Sequence, residues 1–328
     1  MTLLLSSGDL ARLLDFDRVV DAVDAAFAAY SGGRTQTPLR VGVEPPGADG
    51  VLLAMPGAVT EPRALGAKIV SVFRGNAARG LPTIHSIYVL SDYATGAPAA
   101  IMDGGYLTAI RTAGGSASAT RHLSRPDART LGIFGTGVQA RFHVEMIRRV
   151  RPIETVLVSG SSADKASAFA DWVQQTTGLA AESASPETTS AADIVAACTT
   201  SRTPVVLADC VREGAHVNAV GAFTPSTREL PSALIGRARV YVDTRAGACA
   251  EGGDLLLAAQ DSAFALSDLA GEVGEVILGT SAGRTTRDAV TVYKSVGAAF
   301  LDAATARLAF EQAQRIGAGT AYEFVTLR

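Results

Sequence analysis

Lys68 stands in Leu65-Gly66-Ala67-Lys68-Ile69-Val70, an otherwise apolar run. The chain has three lysines (Lys68, Lys165, Lys294) against 26 arginines. Arginine therefore serves wherever a plain positive charge suffices, and an amine inside a strand is a candidate for chemistry that needs a titratable nitrogen. The plain alternative is a strand lysine that snorkels to water. Arg40 follows Thr37-Pro38-Leu39, and Arg111 lies near the start of a helix in Leu107-Thr108-Ala109-Ile110-Arg111-Thr112. A buried cation is costly unless it meets an anion. Few acids neighbour these cations in sequence, so the expected anion is a ligand's, and a planar carboxylate matches the arginine fork. Period-two alternation places Thr83 and His85 on one face of the next strand. Thr83 could hydrogen-bond a ligand or be structural. His85 could donate a proton near neutral pH or be a satisfied structural histidine.

A second set of residues suits a phosphate. The apolar run Leu131–Phe134 meets Gly135-Thr136-Gly137-Val138-Gln139-Ala140, and Phe142, Met146, Ile147 and Val150 continue at helical spacing. Gly135 permits a tight turn, Gly137 lets the backbone approach a pyrophosphate, and Ala140 keeps helix and strand close. The helix N-terminus then offers unpaired N–H groups to the phosphates. A nicotinamide or flavin dinucleotide is the expected ligand. The next strand ends in Ser159-Gly160-Ser161-Ser162 with no acid at its tip. A carboxylate there would repel a 2′-phosphate and hydroxyls can donate to one, so NADPH is expected, with NADH as the alternative. Thr199, Thr200, Gly221 and Ala222 follow further strands whose carboxyl ends face the ligand crevice.

These sites require elements to hold them. Residues 15–30 repeat apolar side chains at helical spacing, and strand-like segments follow at 51–55, 64–73, 85–91 and 98–102. A helix is expected from Tyr106 to Leu123. From residue 129 strands and helices alternate (130–134, 138–149, 155–159, 163–176, 193–198, 216–220, 239–243), the pattern of a doubly wound parallel sheet. A last helix runs from Ala298 to Ile316. The expected class is α/β: a Rossmann-type domain over 125–303, plus an α+β substrate and dimerisation domain over 1–124 and 304–328.

Composition narrows the function classes. With 328 residues, 48% apolar and 19% charged, the chain is globular and long enough for two cores. A net charge of −3 argues against a nucleic-acid partner. No apolar run is long enough to span a bilayer and the N-terminus lacks signal-peptide features, so a cytoplasmic location is expected. Cys198, Cys210 and Cys249 and the four scattered histidines lack metal-ligand spacing, and no metal is expected.

Several motifs together resemble the ornithine cyclodeaminase/μ-crystallin family over nearly the whole chain. They are Lys68 to Thr83 with Asn76 and Gly80-Leu81-Pro82 between, Leu107–Ala113, Gly135–Gln139, Val242-Asp243, Glu251-Gly252-Gly253-Asp254, and Lys294-Ser295-Val296-Gly297. The resemblance implies a homodimer that holds an amino or imino acid carboxylate through Arg40, Lys68 and Arg111, with Thr83 close by. Ser295, in the last motif, matches a family segment near the nicotinamide. The 251–254 run reads as a cap and turn rather than as an acid pair.

Activities in the family include ornithine cyclodeamination, alanine dehydrogenation, cyclic ketimine reduction and thyroid-hormone binding. Members that work on free amines carry a catalytic Asp where this chain reads Gly221-Ala222-Phe223-Thr224-Pro225. A phenylalanine cannot act as a base, whereas a preformed cyclic imine, once protonated, needs only a hydride and an apolar wall. With Phe223 and Thr224 in the substrate pocket, the resemblance implies reduction of Δ1-pyrroline-2-carboxylate, or of its six-membered Δ1-piperideine analogue, to L-proline or L-pipecolate. Cyclodeamination or amino acid dehydrogenation with another base, and non-catalytic ligand binding, stay open.

Overall fold

The computed structural model describes residues 1–324, the side chains of Arg74 and Ala77 excepted. The chain forms two compact units, Met1–Arg111 with Ala298–Arg328, and Thr112–Gly297. The last four residues of the expected 304–328 segment lie outside the described residues. The units divide inside a helix rather than at the expected Arg125-Pro126-Asp127 turn. The second half of that helix belongs to the second unit for a polar reason: Ser116 Oγ bonds His143 Nε2 at 2.8 Å, and Thr120 Oγ1 accepts from Asn218 Nδ2 at 3.1 Å. The first unit regains the chain at Ala298, so it takes the whole last helix, Ala299–Ile316.

In the first unit, β1 (Thr2–Leu5), β2 (Thr35–Gln36), β3 (Val41–Val43), β4 (Gly50–Val59), β5 (Ala64–Phe73), β6 (Ile84–Ser91) and β7 (Pro98–Asp103) form one sheet. The strands β4 to β7 are an antiparallel meander, β1 adds parallel to β7, and a final strand, Thr320–Tyr322, closes the edge beside β1. Burial alternates along β5, with Ala64, Gly66, Lys68 and Val70 turned to the covered face, as a half-buried strand requires. That face packs against the last helix, whose Phe300 ring stacks on Tyr30 (4.8 Å between centroids) and meets Phe27 edge-on. Tyr30 and Phe27 come from the helix Phe16–Ser31, capped by Asp15 through the Arg18 N–H at 3.1 Å.

In the second unit, β8 (Thr130–Phe134), β9 (Thr155–Ser159), β10 (Ala180–Ser183), β11 (Ile194–Ala197), β12 (His216–Ala219), β13 (Arg239–Val242), β14 (Gly271–Glu272) and β15 (Thr291–Lys294) pair parallel in the order β10-β9-β8-β11-β12-β15-β13-β14. The central strands are buried along their whole length, as strands covered on both faces are. The order reverses between β8 and β11, which is where such sheets open a ligand crevice. The fold class is the expected Rossmann-like α/β, although β10, β14 and β15 were not among the expected strands. No helix of the described residues is long and apolar enough to cross a membrane.

Candidate active site

In the first unit, Lys68 projects from the middle of β5 toward the last helix and is 2% exposed. Its Nζ donates to both carboxylate oxygens of Asp302, each at 3.0 Å, and Arg111 Nε donates to Oδ1 of the same acid at 2.9 Å. Asp302 is fully buried on the last helix. This corrects the expectation that the cations' anion is a ligand's: one acid of the chain meets Lys68 from 234 residues further along. Its only local signal was a lone carboxylate inside the apolar run Ala299–Ala309.

The cations still outnumber it. Arg40, half-buried, stands close enough to influence Lys68. Burial, then the charges of Arg111 and Arg40, pull the Lys68 ammonium down to a pKa of about 8, against the opposing pull of Asp302. The terminal nitrogens of Arg111 bond to no described residue, and an ammonium with two protons on Asp302 keeps a third. The cluster can therefore grip a further anion, and Lys68 can carry a proton in either direction near neutral pH.

His85 does not join this cluster. In the β5–β6 register Lys68 pairs with Tyr88 while His85 pairs with Ser71, and paired side chains share a face. His85 thus lies on the opposite, exposed face of the sheet, beside Leu52, Ile69 and Ile87. Thr83, half-buried, immediately precedes β6, and its carbonyl accepts the Phe73 N–H at 2.9 Å. Expected alternation put Thr83 and His85 together, but the ladder begins only at Ile84.

In the second unit the loop after β8 has the form a dinucleotide needs. Gly135 has φ +103°, a backbone state that side chains resist, and a Cβ there would strike the Cys198 carbonyl. Gly137 caps the helix Val138–Val150 without any side-chain cap, and a Cβ on it would meet nothing. Unpaired N–H groups and open space at a helix N-terminus fit a pyrophosphate. Thr136 and Gln139 are half-buried beside it and Val138 is exposed. At the tip of β9, Ser159 is buried and its carbonyl accepts the Gly135 N–H. Gly160 packs against Thr136, while Ser161 and Ser162 are exposed, and Ser162 caps the helix Ala163–Thr177.

Other expected cofactor contacts are committed to the protein itself. Thr199 N–H and Oγ1 donate to Glu229 Oε1 (2.6 and 2.8 Å), and Gly221 N–H donates to Oε2 (2.6 Å). Glu229 is buried, and burial with the nearby Asp254 charge raises its pKa. Asp254 in turn accepts the Glu229 and Leu230 N–H groups and pairs with Lys294 Nζ at 2.8 Å, and Lys294 also donates to the Ala219 and Ala222 carbonyls. Gly252, Gly253 and Asp254 are therefore a buried structural knot against the loop carrying Phe223 and Thr224, both half-buried, with Glu251 half-buried beside it. Ser295 Oγ is turned to Asp243, which also takes the Val296 and Gly297 N–H groups. Thr200 is exposed at the end of β11. His143 and His216 are buried with pKa values pushed down by burial to about 4 and about 3, so both are neutral structural rings.

Comparison with known proteins places this geometry. The chain is 39% identical over 325 residues to the Delta(1)-pyrroline-2-carboxylate reductase of Bacillus cereus, spanning 98% of this chain and 100% of that one. The structure of the Thermococcus litoralis Delta(1)-pyrroline-2-carboxylate reductase in complex with NADH and L-proline superposes with a TM-score of 0.95 at 35% identity, covering 98% and 100% of the two chains. An archaeal alanine dehydrogenase dimer with bound NAD does so with a TM-score of 0.93 at 32% identity, covering 99% of each. The profile of the ornithine cyclodeaminase/mu-crystallin family matches residues 1–316. With that match and those identities, the chain belongs to the ornithine cyclodeaminase/mu-crystallin family.

Proposed function

We propose that this protein reduces a cyclic imino acid, Δ1-pyrroline-2-carboxylate in the first place and its six-membered analogue in the second, to L-proline or L-pipecolate. The carrying observation is the buried cation cluster, in which Lys68 and Arg111 share the single carboxylate of Asp302 and Arg40 stands close enough to act on Lys68. A substrate carboxylate on the free edge of Arg111 supplies the missing negative charge. The position that holds a catalytic Asp in relatives acting on free amines is Phe223, which supports an imine over an amine substrate. So do the substrates named for the Bacillus cereus and Thermococcus litoralis relatives. A bound reduced nicotinamide supplies the hydride. The chain's part is to fix the carboxylate, exclude water and deliver a proton to the imine nitrogen from Lys68.

We further propose NADPH as the cofactor, with NADH accepted. Ser159 to Ser162 at the tip of β9 include no acid, and Asp164 and Lys165 follow, both exposed, in the first turn of the next helix. The test is cofactor oxidation with Δ1-pyrroline-2-carboxylate, followed with both nucleotides. The expected result is turnover with a higher kcat/KM for NADPH. Ser161→Asp should lower the NADPH:NADH ratio by about tenfold, equivalent to about 1.4 kcal/mol. Ammonia release from L-ornithine, or rapid NAD-dependent oxidation of L-alanine, would overturn the substrate reading. Tight nucleotide binding with no turnover across an imine panel would favour a binding protein.

A homodimer completes the proposal. The sheet face that carries His85 exposes Val41, Val43, Leu52 and Ile87, and their cross-strand register places them together. Contiguous exposed apolar area of this kind marks an association surface, and the archaeal alanine dehydrogenase neighbour is a dimer. Ile87→Asp should give a folded monomer by light scattering. A dimer unchanged by that substitution would place the interface elsewhere.

A further inference from the structure

We propose that Asp302 is a positioning residue for imine reduction, holding the Lys68 ammonium in its charged form and fixing the Arg111 guanidinium so that its outer edge is left for the substrate carboxylate. The inference rests on the reductase reading above. Its basis is geometric. One fully buried carboxylate accepts two hydrogen bonds from Nζ and one from Nε, all between 2.9 and 3.0 Å. It takes Nε alone from the guanidinium, and a side-on contact of that kind leaves the two terminal nitrogens as a fork. It takes two of the three ammonium protons, which leaves one to give.

The groups facing Lys68 come from every element around it: Arg111 from the helix Gly104–Leu123, Arg40 from the segment before β3, Tyr88 from β6 and Asp302 from the last helix. Tyr88 is fully buried, its hydroxyl has no hydrogen-bond partner among the described residues, and burial and the Asp302 charge both raise its pKa, so it stays a neutral phenol. Two cations and desolvation oppose a charged Lys68, and the Asp302 carboxylate favours it.

The step balances as follows. An Nζ–H bond of Lys68 breaks as an N–H bond forms on the imine nitrogen. A hydride from the reduced nicotinamide forms the new C–H bond at the imine carbon, so the C=N bond becomes CH–NH and the nucleotide is oxidised. Lys68, left as an amine, regains its proton from water.

The reductase pH profile and the Lys68 titration test this together. With only three lysines in the chain, lysine labelled with 13C at Cε gives a signal for Lys68 that the Lys68→Met variant identifies. In the wild type, reduction should decline as pH rises through about 8, with Lys68 titrating in the same range. In Asp302→Asn both midpoints should move down by about one to three pH units, the usual effect of an opposite charge at this distance. Asp302→Glu, which restores the charge, should bring both back toward the wild-type position, and it carries the test alone if the asparagine variant does not fold. A lowered rate with both midpoints unmoved would overturn the inference and leave Asp302 a packing residue. If no cyclic imine is reduced but the Lys68 signal still shifts in Asp302→Asn, the reductase reading fails while the hold of Asp302 on the ammonium stands.

Discussion

Lys68→Met should lower kcat/KM for cyclic imine reduction by about 10²–10⁴-fold, the usual contribution of a positioned proton donor. The expected loss is in kcat as well as KM, because the amine both binds the carboxylate and protonates the nitrogen. Arg111→Lys should fail to restore substrate affinity: it keeps the charge but loses the planar fork, and its point charge cannot span both carboxylate oxygens. Initial rates over a range of imine concentrations separate the two effects, and a urea midpoint checks that the fold survives. Lys68→Met leaves the buried Asp302 carboxylate held by the Arg111 hydrogen bond without the Lys68 pair, so some stability loss is expected beside the activity loss. A variant that retains more than a tenth of wild-type kcat/KM would remove Lys68 from the chemistry.

Lys294→Met should destabilise the second unit by about 3–5 kcal/mol, the cost of leaving a buried charge without its partner. Lys294 is fully buried and is the cation paired with Asp254, beside Glu229. Without it, two neighbouring carboxylates repel each other in a site that also disfavours either charge. The sign with pH follows from that. Glu229 already has a folded-state pKa raised by burial and by Asp254, and removing Lys294, which lowers it, raises it further. An acid whose folded pKa exceeds its unfolded one contributes stability at low pH and loses it as pH rises through the folded value. The destabilisation should therefore be smallest in acid and grow toward alkaline pH, as read from urea midpoints at several pH values. A loss independent of pH would mean that packing, not charge, dominates.

Much of the second unit was legible because each of its elements announces itself locally. Leu131–Phe134, the glycine turn and the apolar spacing from Val138 to Val150 lie within twenty-one residues of one another, so turn, strand and helix could be read in one window. The two-residue β14 was missed because so few residues cannot display a period; β10 and β15 were missed although they are as long as β11, β12 and β13. In the first unit, Lys68 and Arg111 stood out by residue type, but their partner did not. Asp302 meets them only through a tertiary contact, and nothing in sequence separation forecasts which acid a helix will bring. His85 failed for a different reason. Alternation within β6 says which residues share a face, but only the pairing with β5 says which face holds Lys68. Thr199 and Gly221 do follow strands as expected, and Ser295 was placed by resemblance alone, yet their hydrogen bonds go to Glu229 and Asp243. Strand-end position indicates nearness to a crevice, not the direction of a donor.

The first unit is assembled from both ends of the chain, with the second inserted between them. On the ribosome this imposes a timetable. Residues 112–297 emerge as an uninterrupted stretch and can collapse on their own account, whereas the sheet of the first unit waits for its covering helix until that whole stretch has been made. During that interval the nascent chain carries Lys68 and Arg111 without the carboxylate that later pairs with both. Water must solvate both cations, so the order of synthesis itself defers closure of the cation pocket until the second unit has been made.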